Sequence, residues 1–233
     1  MGKHAVSLPT SVDLIVPYMP DGGLRDANLF RLLGHWNEAF PTMGRNFGGP
    51  NTEQWNKAEA IHNAVKQGES EILVVADADV WVHPAYVAEA IHQVWRKGKW
   101  VMPHQLVYRL DASSSAQWEP YEKTPRKCER LPYVGVPGGG MFIIRREDYE
   151  SVPMDRNFVG HSGQDIAWAH AADTLLGRHK RLKGKMIHLH HPPQPTKGDE
   201  DYSVPNFRLM RAYARARASQ KRMRQLVESG RVT

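Results

Sequence analysis

Five consecutive apolar residues, Ile72-Leu73-Val74-Val75-Ala76, lead directly into Asp77-Ala78-Asp79. A short, unbroken, β-branched run of this kind is the pattern of a strand covered on both faces, as in the parallel sheets of α/β proteins. Side chains two apart on a strand share one face, so Asp77 and Asp79 would project together at its carboxyl end. In open α/β sheets that end opens on the ligand-binding crevice. Two carboxylates there suit a hard divalent cation that also touches a phosphate. The same residues also fit a plain polar turn.

Elements around this strand alternate. Val12–Pro17 reads as a first strand and Leu24–Phe40 as a helix, with Leu29, Leu32, Leu33 and Trp36 at helical spacing. Pro41–Pro50 reads as a loop. Thr52–Gln67 reads as a helix with Thr52 as N-cap, and Pro84–Lys97 as a helix with proline at its start. A strand is expected at Trp100–Met102, a long loop from Leu110 to Pro132 that could be mobile near the site or a plain surface excursion, and a strand at Met141–Ile144. A helix should run from Gln164 to about Leu176, a strand from Lys185 to Pro192, and a last helix over about 206–227. This order predicts an α/β protein with a mostly parallel central sheet flanked by helices. No repeat or compositional break divides the 233 residues, so a single domain over 1–233 is expected.

The 41% hydrophobic content supports a real core, yet no stretch approaches the ~20 apolar residues of a membrane span. Met1–Thr10 lacks the apolar segment of a secretory signal. The lone Cys128 cannot form an internal disulfide, which fits a reducing cytoplasm. A net charge of +6 and a pI near 9.4 favour anionic partners such as nucleotide phosphates or nucleic acid. The last helix concentrates that charge in Arg208, Arg211, Arg215, Arg217, Lys221, Arg222 and Arg224. It reads either as a docked amphipathic helix with solvated arginines or as a platform for a nucleic-acid backbone.

Two further clusters carry chemistry. Gly163-Gln164-Asp165 places a carboxylate at a helix start, where the dipole favours its ionised form. Near the chain's end come His188, His190 and His191; strand alternation puts His188 and His190 on one face. Imidazole with carboxylate suits manganese or a similar metal. Taken singly, each cluster also reads as ordinary surface or helix-end chemistry.

In its ordered set of motifs the chain resembles the GT-A, family 2-like glycosyltransferases, from Val12 to about Ala216. Val12–Tyr18 is similar to their first strand and uridine loop, and Asn56–Asn63 to the helix before the Asp-x-Asp strand. Pro137–Tyr149 is similar to the Gly-Gly strand and following helix of β-1,4-galactosyltransferases and polypeptide N-acetylgalactosaminyltransferases. Gly163-Gln164-Asp165 stands where those families carry Gly-Glu-Asp or Gly-Glu-Asn, and Met186-Ile187-His188 resembles their metal-binding histidine segment.

The resemblance implies a metal-dependent transfer from a nucleotide-sugar, a UDP-sugar first, to an acceptor hydroxyl, with Mn2+ or else Mg2+. It implies Asp79, Asp77 and His188 at the metal, with His190 in reserve. It implies Pro17, Tyr18 and Arg25 at uridine, and Asp77 also at the nucleotide. Gly138, Gly139, Gly140 and Gln164 fall at the donor sugar, and Asp165 is implied as base of an inverting displacement. Gln164 in place of an acid leaves sugar preference and stereochemistry open. The acceptor would be a hydroxylated DNA base, as for glycosyltransferases that modify viral genomes, or a protein Ser/Thr or a glycan. A non-catalytic module binding a nucleotide or nucleic acid is the rival of a different class.

Overall fold

The computed structural model describes residues 7–121, 127–192 and 203–230. Its centre is an eight-stranded sheet. Strand β1 (Val12–Pro17), buried along its whole length, lies parallel between β2 (Gly44–Gly48) and β3 (Ile72–Ala76). Beyond β3 come β7 (Met141–Arg145), β5 (Val101–Arg109), β8 (Lys180–His188) and β4 (Val80–Val82), with β6 (Tyr133–Val134) hydrogen-bonded to β5.

The α/β expectation therefore holds, with β1 parallel to β2 and β3 and β5 parallel to β8, and antiparallel partners are added beyond β3. There β7 runs antiparallel to both β3 and β5, and β4 antiparallel to β8. The chain leaves β5 and re-enters as β7 with only the short α4 (Ala112–Ala116) and β6 named between them. A return without a crossover over the sheet must be antiparallel.

Alternate residues of the central strands feed two apolar layers. Leu14, Val16, Ile72 and Val74 pack with α1 (Leu24–Ala39) and α3 (Pro84–Lys97) through Leu29, Leu32, Trp36, Val87 and Ile91. Ile15, Leu73 and Val75 pack with α2 (Lys57–Val65) and α6 (Gln164–Leu175) through Ile61, Ala64, Trp168 and Ala172. Burial on both faces is why these strands read as continuous apolar runs. The short α5 (Arg146–Ser151) follows β7 directly. A third cluster, with Phe158, Ala167, Ala171, Tyr213, Met223 and Val227, fastens α7 (Ser203–Ala216) and α8 (Gln220–Ser229) to the outside of α6.

Several boundaries differ from expectation. The stretch 41–50 contains β2, because Gly48 must lie against α2: a Cβ there would run into the Ala60 carbonyl and the Ala64 amide. The cap of α2 is Asn56, not Thr52; its side chain accepts from the Glu59 amide at 3.0 Å. The segment 110–132 includes α4, capped by Asp111, and a bridge between Leu110 and Cys128; residues 122–126 lie outside the described set. The last helix is two helices, since the Ser219 hydroxyl caps a new start by accepting from the Arg222 amide. No described helix is long and apolar enough to cross a membrane.

Candidate active site

The carboxyl ends of β1 and β3 open on a cavity of about 460 Å³, lined by Pro17, Tyr18, Met19, Arg25, Trp55, Lys57, Asp77, Ala78, Asp79, Arg109, His161, Gln164, Asp165, His188 and His191. Most of the residues expected at a site therefore converge. Gly138, Gly139 and Gly140 do not line it. Their turn lies beneath: the Gly140 carbonyl accepts from the Asp77 amide at 2.8 Å. A Cβ on Gly138, whose φ is +78°, would sit 2.7 Å from the Asp165 carbonyl. This turn thus lets the first turn of α6 approach the end of β3.

The Asp79 end is set by strand pairing. Val80 pairs with His188, and the Leu189 amide donates to the Asp79 carbonyl at 2.9 Å. This register brings His188 Nε2 to 3.7 Å and His191 Nε2 to 2.7 Å from the Asp79 carboxylate. Ligand atoms of Asp79, His188 and His191 all lie within 4.8 Å of one another.

Two features fit this trio to a metal. Asp79 Oδ1 is buried and has no hydrogen-bond partner among the described residues. His188 Nδ1 lies 3.0 Å from the Leu189 carbonyl, to which it donates, and this bond turns Nε2 towards Asp79. Burial opposes ionisation of Asp79, but His188 and His191, with Arg25, outweigh it and hold the carboxyl below its usual range. For His191, burial is likewise outweighed by Asp79, and its proton affinity is raised. His190 turns away to Glu129, 2.8 Å from Nδ1. Strand alternation fails to place it because β8 ends at His188. The spacing His188-x-x-His191, read across a strand end rather than along a strand, is the signal that identifies the second imidazole.

At the other end the first residue of α2 organises two carboxylates. Lys57 Nζ is 2.8 Å from Asp77 Oδ1 and 2.9 Å from Asp165 Oδ1. Asp77 thus turns to Lys57 and lies outside the trio. Burial disfavours the ammonium, yet Asp165 and Asp77 more than compensate and raise its proton affinity. Burial, reinforced by Asp77 and opposed by Lys57, raises that of Asp165 above an ordinary carboxylate. A half-buried carboxylate of raised basicity at a cavity wall can serve as a general base. Lys57 is absent from the expected site residues. Its trace in the sequence is a lysine on the buried face of α2, beside Ala58, Ala60, Ile61, Ala64 and Val65.

The remaining walls are fixed locally. The Tyr18 hydroxyl donates to Asp26 Oδ1 at 2.6 Å, and Asp26 also accepts from the Asp21 and Gly22 amides, so the turn after β1 is tied to α1. Arg109 Nε donates to Glu129 at 2.9 Å. Ser162 adopts φ 102°, a strained left-handed geometry for a residue with a Cβ, in the loop leading to Gln164.

No family model and no curated protein matches the sequence. Solved structures do resemble the fold. GalNAc-T7 with UDP, GalNAc and Mn2+ matches at a TM-score of 0.55 and 14% identity, over 96% of this chain and 55% of that one. Glucosyl-3-phosphoglycerate synthase from Mycobacterium tuberculosis with Mn2+, UDP and phosphoglyceric acid matches at 0.52 and 13%, over 94% and 85%. A Drosophila β-1,4-galactosyltransferase 7 variant with manganese, UDP-Gal and xylobiose matches at 0.51 and 11%, over 82% and 77%. The chain spans about half the length of GalNAc-T7. The architecture is the GT-A glycosyltransferase fold.

Proposed function

We propose that this chain is a metal-dependent glycosyltransferase that moves a sugar from a UDP-sugar to an acceptor hydroxyl. The observation that carries the reading is one cavity holding the Asp79–His188–His191 trio, its aspartate buried, at one end and the Lys57-paired base Asp165 at the other. Each of the three similar structures also contains a UDP species and manganese. A divalent cation, Mn2+ first, bound by Asp79, His188 and His191 would neutralise charge developing on the diphosphate. Pro17 and Tyr18 flank the uridine, and Arg25 and Arg109 face the diphosphate. Asp77 meets the nucleotide, and the Gly138–Gly140 turn holds the Asp77 and Asp165 backbone from beneath the cavity. The acceptor oxygen attacks the anomeric carbon while its proton passes to Asp165. The bond from that carbon to the phosphate oxygen breaks, the electron pair leaves with UDP, and the anomeric centre inverts.

The acceptor is a hydroxylated base in DNA. This is supported by the exposed Arg208, Arg211 and Arg215 on α7, continued by Lys221, Arg222 and Arg224 on α8. The ridge starts at the site's rim: Asn206 Nδ2 on the first turn of α7 donates to the carbonyls of Val159 and His161. A basic ridge meeting a catalytic rim suits a phosphate backbone.

The test is release of UDP from a panel of UDP-sugars with Mn2+ or EDTA, with and without hydroxymethylated duplex DNA. One sugar should be turned over only with metal, not by Asp79→Ala, and the label should enter the modified DNA in a salt-sensitive way. Turnover indifferent to EDTA and to Asp79→Ala would refute the enzyme reading. Label entering a peptide or glycan but not DNA would refute the acceptor.

A further inference from the structure

The cavity has two chemically different ends, and the one around Asp165 is unusual in what it offers a ligand. Trp55 precedes α2, and its carbonyl accepts from the Gly160 amide at 2.7 Å. That bond fixes the 160–163 loop beside Trp55, so the indole lines the cavity next to Lys57, His161, Gln164 and Asp165. Gln164 is 8% exposed, and its Oε1 is buried without a hydrogen-bond partner among the described residues. An unmet acceptor of this kind calls for an N–H or O–H from a ligand. The described cations near the seat are engaged with carboxylates, Lys57 with Asp77 and Asp165 and Arg109 with Glu129, while Arg25 lies at the far end beside His191.

We propose that Trp55 and Gln164 form the acceptor seat, and that it takes an uncharged ring carrying a hydroxyl. One ring face lies on the indole, a ring N–H or O–H donates to Gln164 Oε1, and the reacting hydroxyl points to Asp165. Removing an anion from water beside two carboxylates without a cation of its own is costly. The seat therefore rejects small acids such as the phosphoglyceric acid in the mycobacterial structure, and suits neutral rings such as the xylobiose in the Drosophila one. This inference rests on the glycosyltransferase reading. Under its DNA form the ring is a hydroxymethylated pyrimidine taken out of the base stack, which aromatic side chains commonly receive.

Saturation-transfer NMR tests the seat. Wild type, Trp55→Ala and Trp55→Phe, each saturated with UDP and diamagnetic Mg2+, are mixed separately with 5-hydroxymethyl-2′-deoxyuridine, xylobiose and 3-phosphoglycerate. At least one neutral ring should receive saturation, and phosphoglycerate none. Trp55→Ala should weaken that ring's affinity by about tenfold or more, the loss expected from removing one aromatic stack. Trp55→Phe should restore most of it, while the affinity for UDP moves far less. Binding of phosphoglycerate, binding of none of the three, or ring affinity unchanged in Trp55→Ala would each overturn the proposal. Calorimetry of UDP with Mn2+ on the same wild-type sample separates the failures. Without metal-linked UDP binding the glycosyltransferase reading itself falls; with it, only the seat does.

Discussion

Replacing Lys57 by Met keeps the length of the side chain and removes its charge, leaving Asp77 and Asp165 in one cavity without their shared cation. Contacts of 2.8 and 2.9 Å each correspond to about 6 kcal/mol of gross attraction at an effective dielectric near 20. Desolvation of the buried ammonium offsets most of this, and breaking such a buried pair costs about 3–5 kcal/mol net. Urea unfolding at neutral pH without metal should show that loss. Neutralising both acids as well, in Lys57→Met/Asp77→Asn/Asp165→Asn, should return most of it. Lys57 is also the group that lowers the proton affinity of Asp165, against burial and Asp77. Without it less Asp165 is ionised at a given pH, so the acidic limb of the pH–rate profile should move to higher pH. A Lys57→Met protein within about 1 kcal/mol of wild type, well below the usual cost of breaking a buried pair, with an unmoved acidic limb, would refute the reasoning.

Further outcomes follow from the same geometry. Asp165→Asn should lower turnover by about 10²–10⁴-fold, the usual worth of a general base, while UDP still binds with Mn2+; near-normal turnover would remove the base from this site. His191→Ala should weaken Mn2+-linked UDP binding by about tenfold or more, whereas His190→Ala, which loses only the contact with Glu129, should change it far less, and calorimetry on both variants decides between them. His104 is fully buried with both ring nitrogens unpartnered among the described residues, and burial pushes its pKa from 6.5 down to about 3. Between those values the unfolded chain holds the extra proton, so stability should fall as pH falls, by up to about 1.4 kcal/mol per pH unit. His104→Leu should flatten that slope in chemical unfolding, and identical slopes would contradict it.

How far the sequence disclosed these features depended on how local each one is. Strands β1, β3 and β7 were legible because burial on both faces imposes an uninterrupted apolar run. Strand β2 was not: its glycines answer to the close approach of α2, which no local pattern records. Asp79, His188 and Asp165 stood out as ligand or base types at element ends, and the cavity brings all three together. His191 was hidden by the assumption that strand alternation continues past His188, whereas β8 ends there and the chain turns. Lys57 was hidden for another reason. Its partners lie on β3's exit and on α6, far away along the chain, and only the tertiary fold explains a lysine buried on an apolar helix face.

The most direct test of the account is a calorimetric titration of UDP into the purified protein, with Mn2+ and with EDTA, repeated on Asp79→Ala. The predicted result is UDP binding that requires Mn2+ and disappears in the variant, because the diphosphate is held through the Asp79–His188–His191 site. UDP binding of equal strength in EDTA, or none under either condition, would contradict it.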